Sequence, residues 1–161
     1  MRNFIYLFVL SILISSCTET YVSTRDIDFE DGKYILEGEV FNGSLVRIRT
    51  IGHPSEQNRV YDLTKVKNGI PVSKEGYSYD KGNFKELTLN TGLKTYVSDL
   101  IEYKMDENFY NEYYSDGKVS SKSEGTIKDG EFEYNGKTEY FDELGNLIEV
   151  EYWKDGERVD K

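Results

Sequence analysis

From about residue 26 onward the chain repeats one pattern: a short run rich in Tyr, Phe, Val, Ile and Thr, a tight turn, then another run. Such runs favour the pleated backbone of strands. The turns are Asp31-Gly32, Asn42-Gly43, Asn68-Gly69, Lys81-Gly82, Asp116-Gly117, Asp129-Gly130, Asn135-Gly136 and Asp155-Gly156. Asn-Gly and Asp-Gly tolerate the positive φ of type I′ turns, whose twist matches paired strands. The clearest hairpin joins 34–41 to 45–51 around Asn42-Gly43, and a second joins 131–134 to 137–141 around Asn135-Gly136. No apolar stretch with helical period occurs beyond the first residues. Pro54 and Pro71 fall in or beside loops, and 52–58 reads as a longer loop. The pattern predicts an all-β chain.

The start is different. Arg2 precedes an apolar stretch over 4–14, closed by Ile14-Ser15-Ser16-Cys17. The stretch is too short to span a bilayer and ends in the small residues that a processing enzyme requires. It resembles the lipobox of bacterial lipoproteins, in which the peptide is cut before a cysteine that carries diacylglycerol. The alternative is an ordinary secretory peptide ending near a cysteine. The resemblance implies a signal peptide over 1–16, lipidation of Cys17, a polar tether over 17–26 and a β-repeat domain over 27–161. Two or three acyl chains hold a protein on a membrane stably, where one does not. Thr18, rather than Asp, follows Cys17, which under enterobacterial-type sorting directs a lipoprotein to the outer membrane. The expected place is therefore the cell envelope.

Charge narrows the partners. Without 1–16 the chain keeps 19 basic and 30 acidic residues, a net charge of −11. Phosphate backbones and anionic headgroups are repelled by such a surface, which argues against nucleic acid and leaves the lipid as the route to the membrane. Cys17 is the only cysteine, so packing and strand pairing hold the domain without an internal disulfide.

The last third is the most regular, over 110–159. Tyr113-Tyr114-Ser115-Asp116-Gly117-Lys118 is echoed by Tyr140-Phe141-Asp142-Glu143-Leu144-Gly145-Asn146 and by Tyr152-Trp153-Lys154-Asp155-Gly156-Glu157. Ile127-Lys128-Asp129-Gly130-Glu131-Phe132 forms a half-repeat between the first two, as a two-hairpin period predicts. This alternation resembles the MORN-variant repeats of bacterial proteins labelled YwqK-type antitoxin components, many of them lipoproteins. Lys67-Asn68-Gly69 and Tyr79-Asp80-Lys81-Gly82-Asn83 resemble degenerate copies. The resemblance implies an extended antiparallel β-hairpin meander and a role in protein contacts. The residues lead to the same architecture by themselves. A two-residue turn at Asn135-Gly136 pairs Tyr134 with Lys137 and sets Phe132 and Tyr134 on one face, Tyr140 on the other. Aromatics interleaved with Glu and Lys on both faces suit an open, curved sheet rather than a closed barrel.

Catalytic chemistry is poorly supplied. His53 is the only histidine, beside Pro54 and Ser55, whereas nucleophilic triads and zinc sites need more. Asp26, Asp28, Glu30 and Glu37 have calcium-loop spacing, but Asp31 stands where such a loop demands Gly. They read as the rim of a strand entering the Asp31-Gly32 turn. No cofactor or catalytic residue is expected. The aromatic set of Tyr110, Tyr113, Tyr114, Tyr134, Tyr140, Phe141, Tyr152 and Trp153 is concentrated in the last third, and from Tyr113 onward it is the candidate interaction surface, because such rings contribute contact area at little entropic cost. The competing reading makes these rings the core of a thin sheet. The expected function is a lipid-anchored, non-enzymatic protein contact. Its alternatives are an immunity protein neutralising a co-encoded toxin and a glycan-binding protein using Tyr152 and Trp153.

Overall fold

The computed structural model describes residues 19–50, 58–128 and 131–160. Cys17, His53, Pro54, Asp129-Gly130 and most of the 52–58 loop lie outside them. The described residues form fifteen strands and no helix, as the turn pattern predicts. They are β1 (Tyr21–Ser23), β2 (Asp28–Glu30), β3 (Lys33–Leu36), β4 (Glu39–Val40), β5 (Gly43–Thr50), β6 (Asn58–Lys67), β7 (Ile70–Tyr77), β8 (Phe84–Thr88), β9 (Lys94–Ser98), β10 (Ile101–Met105), β11 (Phe109–Tyr113), β12 (Val119–Lys128), β13 (Glu131–Phe141), β14 (Leu147–Lys154) and β15 (Glu157–Val159). The main sheet runs β1-β5-β6-β7-β10-β11-β12-β13-β14-β15, with the β8–β9 hairpin branching from β6; β2-β3-β4 form a small second sheet. From β10 to β15 every strand pairs antiparallel with its sequence neighbour, the expected meander. The sheet as a whole is mixed, because β1 lies parallel to β5 and β9 meets β6 in a parallel bridge at Arg59 and Tyr96.

The two halves differ in thickness. Around β5 and β6 both faces of the main sheet are covered. Val22, Phe41, Leu45 and Val66 form one buried cluster, against which Ile27, Tyr34 and Leu36 pack. Val46, Val60 and Leu89 form another, flanked by Leu87 and Val97 of the hairpin side. The small sheet is tied down by backbone bonds from Tyr34 to Gly69 and from Gly69 to Phe41, at 2.8 and 2.9 Å. Beyond β7, none of the described elements lies over the meander.

Three turns follow their sequence signals closely. Asp31-Gly32, Asn68-Gly69 and Asp155-Gly156 all have positive φ at both residues, the type I′ requirement. At Asp116-Gly117 a longer turn forms instead: Tyr114 N–H donates to the Lys118 carbonyl at 2.8 Å and Gly117 N–H to the Tyr114 carbonyl at 2.9 Å. The same two bonds recur, each at 2.9 Å, between Asp142 and Asn146 and between Gly145 and Asp142. A bulge precedes both turns at the same offset, between Glu112 and Tyr113 and between Tyr140 and Phe141. The echo in the sequence is an echo in backbone geometry.

Three expectations are corrected. Asn42-Gly43 closes no hairpin: Glu37-Gly38 turns the chain between β3 and β4, and β5 pairs with β6. Asn42-Gly43 is the crossover between the two sheets, where the Asn42 carboxamide accepts the Asn68 N–H at 2.7 Å. Asn135-Gly136 makes no turn either and lies within the eleven-residue β13. Ser123 pairs with Thr138 and Gly125 with Tyr134, so two extra residues of β13 are absorbed as a bulge. Because that number is even, Tyr140 stays on the face of Phe132 and Tyr134 rather than opposite. Finally, the tether does not extend to residue 26. Tyr21–Ser23 is a strand, and Val22 is fully buried. Three residues are too few to display a period, and β1 finds its partner in β5, where Val22 lies beside Leu45. Val22→Ala should therefore lower stability by about 2 kcal/mol, read as a reduced denaturant midpoint, whereas a tether residue would change nothing.

Candidate functional site

In the meander the register decides what each face carries, since successive side chains alternate. One face holds Tyr103, Met105, Tyr110, Phe132, Tyr134, Tyr140 and Trp153, with Ser121, Ser123 and Thr138 between them. The rings form a ladder across the strands. Tyr103 and Tyr110 have centroids 5.7 Å apart, Tyr110 and Phe132 5.7 Å, Phe132 and Tyr134 5.3 Å, and Tyr134 and Trp153 5.1 Å. These are tilted and edge-on contacts of the kind aromatic quadrupoles favour.

Glycine makes room for the rings. Gly76 pairs with Tyr103, Gly125 with Tyr134, and Gly136 with Trp153. A Cβ on Gly76 would run into the Tyr103 ring, and one on Gly125 would come 2.7 Å from the Phe132 ring and strike the Glu133 carbonyl. The Tyr103 and Phe132 rings can thus lie along the sheet instead of standing away from it, whereas a Cβ on Gly136 would meet the Glu124 side chain. The lane beneath is small and polar: Ser121, Ser123 and Thr138 are at most 4% exposed, and Thr138 donates to Ser123 at 3.0 Å. The rings themselves stay half-buried.

The tyrosine hydroxyls hold carboxylates beside the ladder. Tyr110 donates to Glu112 at 3.1 Å and Tyr140 to Glu151 at 2.9 Å, while Ser121 donates to the second oxygen of Glu112. Burial raises the pKa of Tyr103, Tyr110 and Tyr134. Tyr140 is pushed up to about 12 by burial and then by its bond to Glu151.

The predicted surface residues are divided by this geometry. Tyr134 and Trp153 belong to the ladder, and Tyr140 shares its face. Tyr114 and Phe141 meet at the turn edge, where the Tyr114 hydroxyl donates to the Phe141 carbonyl at 2.6 Å. Tyr113 follows the β11 bulge and lines a hollow of about 360 Å³ with Leu100, Ile101 and Tyr114. Tyr152 projects to the opposite face, across from Lys137 and Val159. Tyr152 and Trp153 therefore cannot stack on one sugar ring. Tyr110, of the same aromatic set, is a ladder member too, and Tyr103 and Phe132 are ladder members that the candidate set omits. The alternating Ser121-x-Ser123-x-Gly125 is the signal that points to them, because such small residues on a middle strand leave space for flanking rings. Among the described residues no three His, Cys, Asp or Glu side chains gather as a metal ion requires.

No family model, curated protein or solved structure matches this chain.

Two outcomes follow from the ladder. Gly125→Ala should cost about 2 kcal/mol through the collision with Phe132 and shift Trp153 emission, whereas Gly117→Ala, at φ +84° in open space, should cost about 1 kcal/mol and leave emission unchanged. The hydroxyl of Tyr140 ionises less readily folded than unfolded, so its contribution is whole below the ordinary value of 10.0 and is lost as pH rises through about 12. Denaturant midpoints should fall over that window, and tyrosinate absorbance should rise later in the folded chain than in the unfolded one.

Proposed function

We propose that this protein is a lipid-anchored, non-enzymatic envelope protein that presents one face of its open meander to a protein partner. The observation that carries this reading is the ring ladder: six aromatic side chains on one face of a single layer, held in fixed orientation by glycines and buried small residues. Rigid, half-exposed rings contribute contact area with little ordering cost on binding. Their spread over four strands, from β10 to β14, supports a broad protein contact over a sugar site. The lipobox-like Ile14-Ser15-Ser16-Cys17 supports attachment through Cys17, and Thr18 supports the outer membrane. The matching bulges and turns before Gly117 and Gly145 support placing 110–159 with MORN-variant repeats. An immunity protein would use the same face with a toxin as its partner.

A crosslinked pull-down of the tagged chain from its own membranes tests this. A partner should be captured by the wild type and lost from Tyr110→Ala and Trp153→Ala while both variants remain folded. Capture unchanged by either substitution would reject the ladder as the contact face. Separately, Cys17→Ala should release the protein from membranes, and persistence after a high-salt wash would reject the anchor.

A further inference from the structure

We propose that the ladder face receives a lysine- or arginine-rich polypeptide segment. This rests on the ladder being the contact face and adds the chemistry of what it contacts.

Register sorts the charges of the meander by face. Lys104 pairs with Asn111, and Asn111 with Lys122, so both lysines alternate away from Met105, Tyr110 and Ser123. Lys128 pairs with Glu131, Lys137 with Tyr152, and Lys154 with Glu157, all likewise out of phase with the ladder. Every lysine in the strands β10 to β15 thus lies on the face opposite the rings. Within β10 to β15 the ladder face carries Glu112, Glu149 and Glu151 against Arg158 alone, which is paired with Glu151; Lys74 of β7, across from Met105 on the same face, lies 3.7 Å from the buried Asp62.

Two kinds of negative potential therefore coincide. The ring faces present the negative side of their quadrupoles. Beside them stand carboxylates, two of which are oriented by tyrosine hydroxyls. Glu112 and Glu149 are exposed. Elsewhere in this protein, cations do settle over rings: Arg59 lies 4.1 Å from the Phe84 centroid, and Lys122 lies 4.7 Å from that of Phe109 on the opposite face. Among the described residues no cation lies so over a ladder ring. The positions a cation would favour are left for a partner. An ammonium or guanidinium above a ring and next to a carboxylate satisfies both fields, and the chain's net charge of −10 would speed the encounter. A neutral glycan gains nothing from this sorting, and an acidic polymer is repelled.

Trp153 is the only tryptophan and is a rung of the ladder, so its emission reports occupancy. The intact chain is titrated with a lysine-rich peptide free of Trp and Tyr, with a glutamate-rich peptide of equal length, and with a neutral soluble polysaccharide. A saturable change is expected with the lysine peptide alone, weakening as salt rises. The double variant Glu112→Gln with Glu149→Gln should bind about tenfold more weakly. Glu131→Gln with Glu157→Gln, the same charge change on exposed residues of the other face, should bind as the wild type does. No response to the lysine peptide, equal weakening by both double variants, or a response to the polysaccharide would overturn the proposal. The pull-down separates the two readings. A crosslink joining the ladder to a segment without Lys or Arg defeats the cationic chemistry alone, whereas capture indifferent to the ladder defeats the contact face itself.

Discussion

Room for a ring beside a bare backbone is the constraint on which the meander depends. A single layer has no opposing layer to bury its side chains, so apolar area must be hidden within the face itself. Cross-strand pairs contribute about 0.2–1 kcal/mol each, and well-oriented aromatic pairs about 0.5–1.5 kcal/mol beyond their burial. Laying the Tyr103 ring over Gly76 and the Phe132 ring over Gly125 gains both terms, since each ring touches the backbone below and the next ring along. The cost of glycine in a strand, less than about 1 kcal/mol, is smaller than what the rings recover. Ring-to-ring contacts join β10, β11, β13 and β14 across this face.

The ladder begins where the packed half ends. Tyr103 lies on Gly76 next to Asp62, which is 2% exposed, ion-paired with Arg47 and 3.7 Å from Lys74. A buried carboxylate is tolerable only while a cation accompanies it, so Arg47 and Asp62 hold β5 against β6 in one register. The same face then continues from this cluster into the rings. The two-sided core around Val22, Leu45, Val46 and Val60 fixes the first strands, and the glycine–ring pairs carry that order outward. A contact surface built this way is rigid without a second layer, and rigidity is what makes it usable for recognition.

Much of the strand architecture was legible because turn chemistry is local. Asp31-Gly32, Asn68-Gly69 and Asp155-Gly156 adopt positive φ within a few residues of chain, and neighbouring runs pair as a result. The same signal misled at Asn42-Gly43 and Asn135-Gly136. Positive φ is equally useful at a sheet crossover or a bulge, and only the distant partner strand decides among these uses. Val22 was illegible for a related reason, since a three-residue strand acquires its burial from β5 and β6.

The sequence by itself determined the all-β class, the meander, its recurring turns and the concentration of aromatic residues in the last third, because each depends on residues close in the chain. Tertiary structure decided which rings share a face, which glycines lie beneath them and on which side the lysines fall. Those are properties of register: because β13 runs on through Asn135-Gly136 and its bulge is even-numbered, Tyr140 stays on the ladder face. Register is set by pairing across strands, where the local pattern has no say.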